Sequence, residues 1–193
     1  VNASFTFTNN REFTWYGKVC DINNCNDPTG NKLVGLDEFL VNNFTNWGQN
    51  DFEIISTNDG YLIAWTSNAQ DGSSYGVYAR QYYSNGSIKV DEFRVNNYTT
   101  NSQRNPSLIL TTDGYLIIWE SITQDGDSYG IYARQYYNNG SIKVDEFRVN
   151  NYTISSQISS KIILTTDGYL IVWVSDGQDG YGEGIYARQY YNN

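Results

Sequence analysis

Six asparagines stand in Asn-x-Ser/Thr triplets, at Asn2, Asn43, Asn85, Asn97, Asn139 and Asn151. Each is an acceptor for an N-linked oligosaccharide. Asn105 is not one, because Pro106 occupies the middle of its triplet. Cys20 and Cys25 flank a four-residue stretch just before the loop signal Asp27-Pro28-Thr29-Gly30. A disulfide suits this pair in an oxidising compartment, and two free thiols suit it in a reducing one. The chain has no His, so the pair lacks the usual nitrogen ligands for zinc. Three acidic loops follow, Gln70-Asp71-Gly72, Gln124-Asp125-Gly126 and Gln178-Asp179-Gly180. Calcium takes about six to eight oxygens. One Asp per loop (Asp71, Asp125, Asp179) therefore makes a weak calcium set, and an Asx turn closed by Gly is the preferred reading. Arg80, Arg134 and Arg188 recur in identical contexts among tyrosines. Three arginines could bind an anionic sugar, but stacking on a Tyr ring or pairing with a nearby Asp is the plainer role.

Enzyme chemistry finds little support in these residues. The commonest general base is absent. The strong carboxylate candidates come in three near-copies, whereas an active site is asymmetric and built once. They are read as fold determinants. No catalytic residue, metal ligand or cofactor is expected.

The residues recur because the chain does. Asp-Glu-Phe starts at Asp37, Asp91 and Asp145, Asp-Gly-Tyr-Leu at Asp59, Asp113 and Asp167, and Tyr-Ala-Arg at Tyr78, Tyr132 and Tyr186, always 54 residues apart. A fixed period in this range signals a propeller, a solenoid or an array. The organisation expected is a degenerate half-repeat at 1–32, then repeats at 33–84, 85–138 and 139–193. Each repeat reads as four strands. Strand A is the Asp-Glu-Phe segment. Strand B is Phe52–Ser56, Leu108–Thr111 or Ile162–Thr165. Strand C is Tyr61–Thr66, Tyr115–Glu120 or Tyr169–Val174. Strand D is Gly76–Tyr83, Gly130–Tyr137 or Gly184–Tyr191. An Asp-Gly pair is expected to turn B into C, and Asn85-Gly86 and Asn139-Gly140 to turn D into the next A. The half-repeat holds two further strands, Ala3–Thr8 and Phe13–Cys20, on alternation.

Strand C is apolar on both faces, as in Leu116-Ile117-Ile118-Trp119, so it belongs in the middle of a covered sheet. Strand D alternates and belongs nearer an edge. The fold class is all-β: tandem four-stranded antiparallel meanders like propeller blades, with Trp65, Trp119 and Trp173 buried between sheets. Between 91–139 and 145–193, 35 of 49 positions are identical, and most differences fall in the A–B and C–D loops at one end of the sheets.

The net charge is −9, which speaks against a nucleic-acid partner and against an anionic membrane surface. No apolar run reaches the ~18 residues of a spanning helix, so membrane insertion is not expected. Val1 reads as a processed or truncated start.

The string Gln124-Asp125-Gly126, then Tyr129-Gly130-Ile131-Tyr132-Ala133-Arg134-Gln135-Tyr136, followed by an Asn-Gly turn and Glu146-Phe147-Arg148-Val149-Asn150, resembles a known tandem repeat. It is similar to repeats in very large secreted and cell-surface adhesin-type proteins of the repeats-in-toxin kind, over about 33–193. The resemblance implies an extracellular location and a propeller-like or array structure, and no catalytic residues. The expectation is an extracellular, glycosylated, non-enzymatic structural or adhesive protein. It would partner itself head to tail, as a filament or array, through its open sheet ends. The alternative is a carbohydrate-binding propeller completed by oligomerisation, with exposed aromatics such as Trp47 stacking on sugar rings.

Overall fold

Runs of Tyr, Trp, Ile and Val, punctuated by Asn, Asp and Gly, give eleven strands and no helix among the described residues. The computed structural model describes residues 38–191. The chain divides into two compact units, Val1–Leu40 and Val41–Asn193, and every strand below lies in the second. Asn2, Cys20, Cys25 and the strands expected at Ala3–Thr8 and Phe13–Cys20 lie outside the described residues.

The first sheet is β1 (Gln49–Thr57), β2 (Gly60–Asn68), β3 (Tyr75–Tyr83) and β4 (Ile88–Arg94), paired in that order. The second is β5 (Gln103–Thr111), β6 (Gly114–Ile122), β7 (Tyr129–Tyr137) and β8 (Ile142–Arg148), and repeats the first. The third holds three strands, β9 (Gln157–Thr165), β10 (Gly168–Asp176) and β11 (Glu183–Tyr191). All pairings are antiparallel. The architecture is thus all-β, in tandem meanders like propeller blades.

Two details differ from the sequence expectation. The Asp-Glu-Phe segment does not open its own copy. It closes the preceding sheet, with Ala79 opposite Phe93 and Ala133 opposite Phe147. The Asn-Gly turn makes this inevitable, because a tight turn returns the chain onto the strand it has just left. Strand D is therefore interior in the first two sheets rather than near an edge. The second difference lies in the B–C turn. Its two residues are Asn58-Asp59 and Thr112-Asp113, and Gly60 and Gly114 already pair with Thr57 and Thr111. Each Gly is required by close approach: a Cβ at Gly60 would run into the Tyr82 carbonyl, and one at Gly114 into that of Tyr136.

Strand C alternates its partners. Tyr115, Ile117 and Trp119 of β6 pack toward the first sheet with Leu62, Ala64, Val77 and Ala79. Leu116 and Ile118 pack toward the third with Ile162, Ile171 and Trp173. Covering both faces explains the unbroken apolar run. Trp65, Trp119 and Trp173 are all buried in equivalent places. Stacked tyrosine pairs repeat alongside: Tyr61 with Tyr82, Tyr115 with Tyr136 and Tyr169 with Tyr190.

Between sheets, the linkers are fastened on both sides. Val95 donates its N–H to Val77 O at 2.8 Å and accepts Arg134 Nη1 at 2.6 Å. Buried Asn96 accepts the Val77 N–H at 2.8 Å and donates to Tyr98 O, and Asn150 does the same with Ile131 and Tyr152. These amides satisfy backbone groups that the chain leaves unpaired as it crosses between sheets.

Candidate functional site

The first strands of the three sheets converge, β5 lying against both β1 and β9. Each carries a left-handed residue at the same place, Asp51 (φ 47°), Asn105 (φ 54°) and Ser159 (φ 56°). In all three the ladder register slips there, between Asn50 and Glu53, between Arg104 and Ser107, and between Ile158 and Lys161. These are β-bulges, which re-aim side chains and recur beside binding sites. Other left-handed residues also repeat at 54-residue spacing, such as Ala69 and Thr123. The conformation itself is therefore a property of the repeat. What differs between copies is the side chain it presents.

The bulges line a polar cleft of about 280 Å³ with Phe52, Glu53, Glu120, Ser160 and Lys161. Glu120 organises it. The side chain is 1% exposed. Its Oε2 accepts Arg104 Nε at 3.2 Å and Asn105 Nδ2 at 3.0 Å, and its Oε1 accepts the Ser159 N–H at 2.7 Å. One carboxylate of β6 thus ties the bulge of β5 to that of β9. A buried charge needs such a complete set of donors. Arg104 in turn lies over the Tyr129 ring, 4.3 Å from its centre. Lys161 of β9 reaches Glu53 of β1 at 3.5 Å, so the cleft is bridged across its mouth by exposed charges. Asp51 is exposed, Ser160 Oγ is buried without a hydrogen-bond partner, and Phe52 is 73% exposed. Carboxylates, an unpaired hydroxyl and an open aromatic face around one concavity suit a polyhydroxylated ligand.

Sequence reasoning passes over Glu120 because it looks for carboxylates that recur. Glu120 does not recur: the equivalent residues are Thr66 and Val174. That departure inside strand C is the signal that marks it. Two loops also carry Gly-x-Ser-x-Gly spacing, 72–76 and 126–130. Their serines bond other hydroxyls, Ser74 with Ser102 at 2.9 Å and Ser128 with Ser156 at 2.7 Å. They sit in strand-to-strand loops with no His in the chain, unlike a hydrolase nucleophile turn.

The other sequence candidates are dispersed. Arg80 and Arg134 are buried and pair with Asp91 and Asp145 at 2.6 Å, the plainer role. The Glu146 N–H, then the Arg134 guanidinium, hold the exposed Asp145 carboxyl below its ordinary value. Asp71 accepts the Ser73 N–H and Asp179 the Tyr181 N–H, both at 3.2 Å, as in Asx turns. Among the described residues no three His, Cys, Asp or Glu side chains gather around one point. Asn43, Asn85, Asn97, Asn139 and Asn151 are all exposed. Asn97 and Asn43 share an environment, their Nδ2 donating to Asp145 at 3.1 Å and to Asp91 at 3.4 Å, whereas Asn85 and Asn139 accept the Ser87 and Ser141 N–H in their turns, each at 3.0 Å. Trp47 is 72% exposed in the segment before β1.

Tandem antiparallel sheets converging on a polar cleft define propeller-blade-like repeats. No protein-family model matches the chain, and no curated protein sequence does. Solved structures do match. The endo-arabinase of Bacteroides thetaiotaomicron aligns over 78% of this chain and 59% of its own, with 12% identity and a TM-score of 0.52. The alpha-L-arabinofuranosidase of Lactobacillus brevis aligns over 84% and 58%, with 8% identity and a TM-score of 0.51. A thermostable family-43 glycoside hydrolase aligns over 78% and 57%, with 10% identity and a TM-score of 0.50. At such identities the likeness is one of fold, and the chain spans under three-fifths of each of these structures.

Two expectations are corrected here. Tripled residues favour a non-enzymatic protein, the open sheet ends a filament, and the repeat resemblance an adhesive role. The fold is instead one on which glycoside hydrolases are built. Nor is every carboxylate tripled, because Glu120 occurs once. Of the two sequence readings, the carbohydrate-binding propeller is the one the fold favours. Among the described residues no helix is long and apolar enough to cross a membrane.

Proposed function

We propose that this chain is an extracellular carbohydrate-binding propeller module that holds a saccharide in the cleft between β1, β5 and β9. The observation that carries the reading is Glu120, a buried carboxylate present in one copy only, which fixes two bulges around a concavity lined by an exposed phenyl ring. Phe52 would stack on a sugar face, and Asp51, Glu53 and Ser160 would take its hydroxyls. Arabinose-containing polysaccharide is the first ligand to test, because the proteins of similar fold are an arabinase and an arabinofuranosidase. Hydrolysis is a second reading, favoured by Asp51 and Glu53 standing in the same cleft: most glycosidases work through a pair of carboxylates. The exposed acceptor asparagines would carry N-linked glycans.

The test is calorimetric titration with arabino-oligosaccharides, together with reducing-end release from linear arabinan. Binding should be lost in Phe52→Ala and Asp51→Asn while the melting temperature stays within a degree or two. Retained binding in both variants would remove the cleft as the site. Reducing-end release that vanishes in Asp51→Asn would establish the second reading.

A further inference from the structure

The cleft between β1, β5 and β9 offers a ligand acceptors, and the bonding of Glu120 makes it so. Asn105 commits its Nδ2 to Glu120 Oε2 at 3.0 Å, which leaves its Oδ1, an acceptor, as the atom it can present. Arg104 Nε is also turned onto Glu120, at 3.2 Å, and its guanidinium lies over the Tyr129 ring. Asp51 is exposed and, among the described residues, its side chain carries no hydrogen bond or ion pair. The Glu53 carboxylate meets the Lys161 ammonium at 3.5 Å, and that lysine side chain is 75% exposed. Ser160 lines the same cleft, is 5% exposed, and its Oγ has no partner. A buried hydroxyl of this kind calls for a partner supplied from the cleft. In formal charge, the carboxylates of Asp51, Glu53 and Glu120 outnumber the cations of Arg104 and Lys161 by one.

We infer that the cleft prefers a saccharide bearing a protonated amine, an amino sugar, over a neutral or acidic one. The inference rests on the saccharide reading above and narrows its ligand class. A neutral sugar presents hydroxyls, each both donor and acceptor, and a cleft whose free side chains accept leaves the acceptor half unmatched. An ammonium presents three donors and no acceptor, which is what Asp51, Asn105 Oδ1 and Ser160 Oγ can take. Its bonds to a carboxylate are charge-assisted, about twice as strong as neutral ones. The chain already displays the interaction, since Lys161 sets an ammonium on Glu53 across the mouth. That side chain is exposed and long, so it holds the place of a ligand amine and can yield it. The net charge of −9 draws cations toward the molecule and repels a uronate.

The experiment is calorimetric titration of the full chain with the β-1,4-linked trisaccharide of glucosamine and with its N-acetylated counterpart, the same skeleton without the charge. At about pH 5.5 the amine is protonated while Asp and Glu are ionised. The amino form should bind about tenfold or more tighter. At about pH 9 the amine is neutral, the carboxylates are unchanged, and the advantage should vanish. Asp51→Asn should shrink the advantage several-fold at the lower pH, because it removes a charge from one complex and a hydrogen bond from the other. Lys161→Ala should tighten the amino form, because the competing ammonium is gone, and so exposed a side chain puts folding at no risk. Equal affinities at the lower pH would overturn the inference. So would a preference that survives at about pH 9, which would be one of shape, or a weaker amino form in Lys161→Ala. Arabino-oligosaccharide that binds where the glucosamine trisaccharide does not would overturn it and leave the saccharide reading standing. No binding of any of the three sugars would remove both.

Discussion

At the scale of single residues, the repeat is a set of internal controls. Arg134 and Arg188 occupy the same position in two copies, one buried and bonded to Val95 O and Asp145, the other half-buried and meeting no carboxylate among the described residues. Arg134→Ala strands a buried carbonyl and should cost about 1–3 kcal/mol in urea unfolding, whereas Arg188→Ala should cost under ~0.5 kcal/mol. Equal costs would show that the grip is not what the buried arginine supplies. Tyr136 makes a second residue-level prediction. Burial, partly offset by Arg134, pushes its phenol up to about 12, against roughly 10 in an unfolded chain. A raised pKa means the folded state holds the proton longer. The stability this contributes is whole below about pH 10 and is lost as pH rises toward about 12. Unfolding midpoints measured from pH 8 to 12 should therefore fall, and Tyr136→Phe should make the fall shallower. Asp91 and Asp145 act in the opposite sense. Their carboxyls are depressed, first by the following backbone N–H and then by the arginine, so their contribution is lost as pH drops below about 4.

At the scale of strands and turns, the B–C hairpin is the most constrained element. Its glycine is dictated by the neighbouring strand D rather than by the turn. Gly114→Ala would drive a methyl group into the Tyr136 backbone carbonyl, and neither strand can retreat without breaking its ladder. The expected cost is about 2–4 kcal/mol, measured by thermal or urea unfolding. Gly126→Ala meets no atoms but sits at φ 101°, so about 1 kcal/mol is expected there. A Gly114→Ala variant as stable as the wild type would refute the close approach. The bulges of β1 and β5 are the second special element. They turn Asp51 and Asn105 into the cleft, where a straight ladder would keep them in alternation.

At the scale of the whole second unit, stability rests on the two contacts between sheets. Trp119 is fully buried in the first of them, with Leu62, Val77 and Leu108 among its cluster. Trp119→Ala removes a large side chain from between two sheets and should cost about 3–5 kcal/mol. Trp47→Ala, on an exposed ring, should change stability by less than ~0.5 kcal/mol. Denaturant titration of the pair measures both, and a small loss at Trp119 would mean that the sheets are not held together through that face. Glycosylation also acts at this scale. Asn151 Nδ2 has no partner among the described residues, whereas Asn97 Nδ2 is committed to Asp145. In a secreted eukaryotic preparation, peptide mapping should find Asn151 occupied more fully than Asn97. The reverse order would show that the Asp contact does not hinder transfer.

The sequence alone determined the period, the strand type, the position of strand C and the burial of the three tryptophans. Those follow from local patterning: an apolar run of this length must be covered on both faces, and a tight Asn-Gly turn must join neighbours. It left Arg80 and Arg134 either stacking on a Tyr ring or pairing with an Asp of strand A, and the structure supplies the pairing. Only the tertiary structure decided which sheet strand A completes, because the 54-residue period is the same wherever the cut is placed. Only the tertiary structure gathered Asp51, Asn105, Glu120 and Ser159. They come from four strands in three sheets, and nothing local in the sequence relates residues whose meeting depends on how whole sheets are stacked.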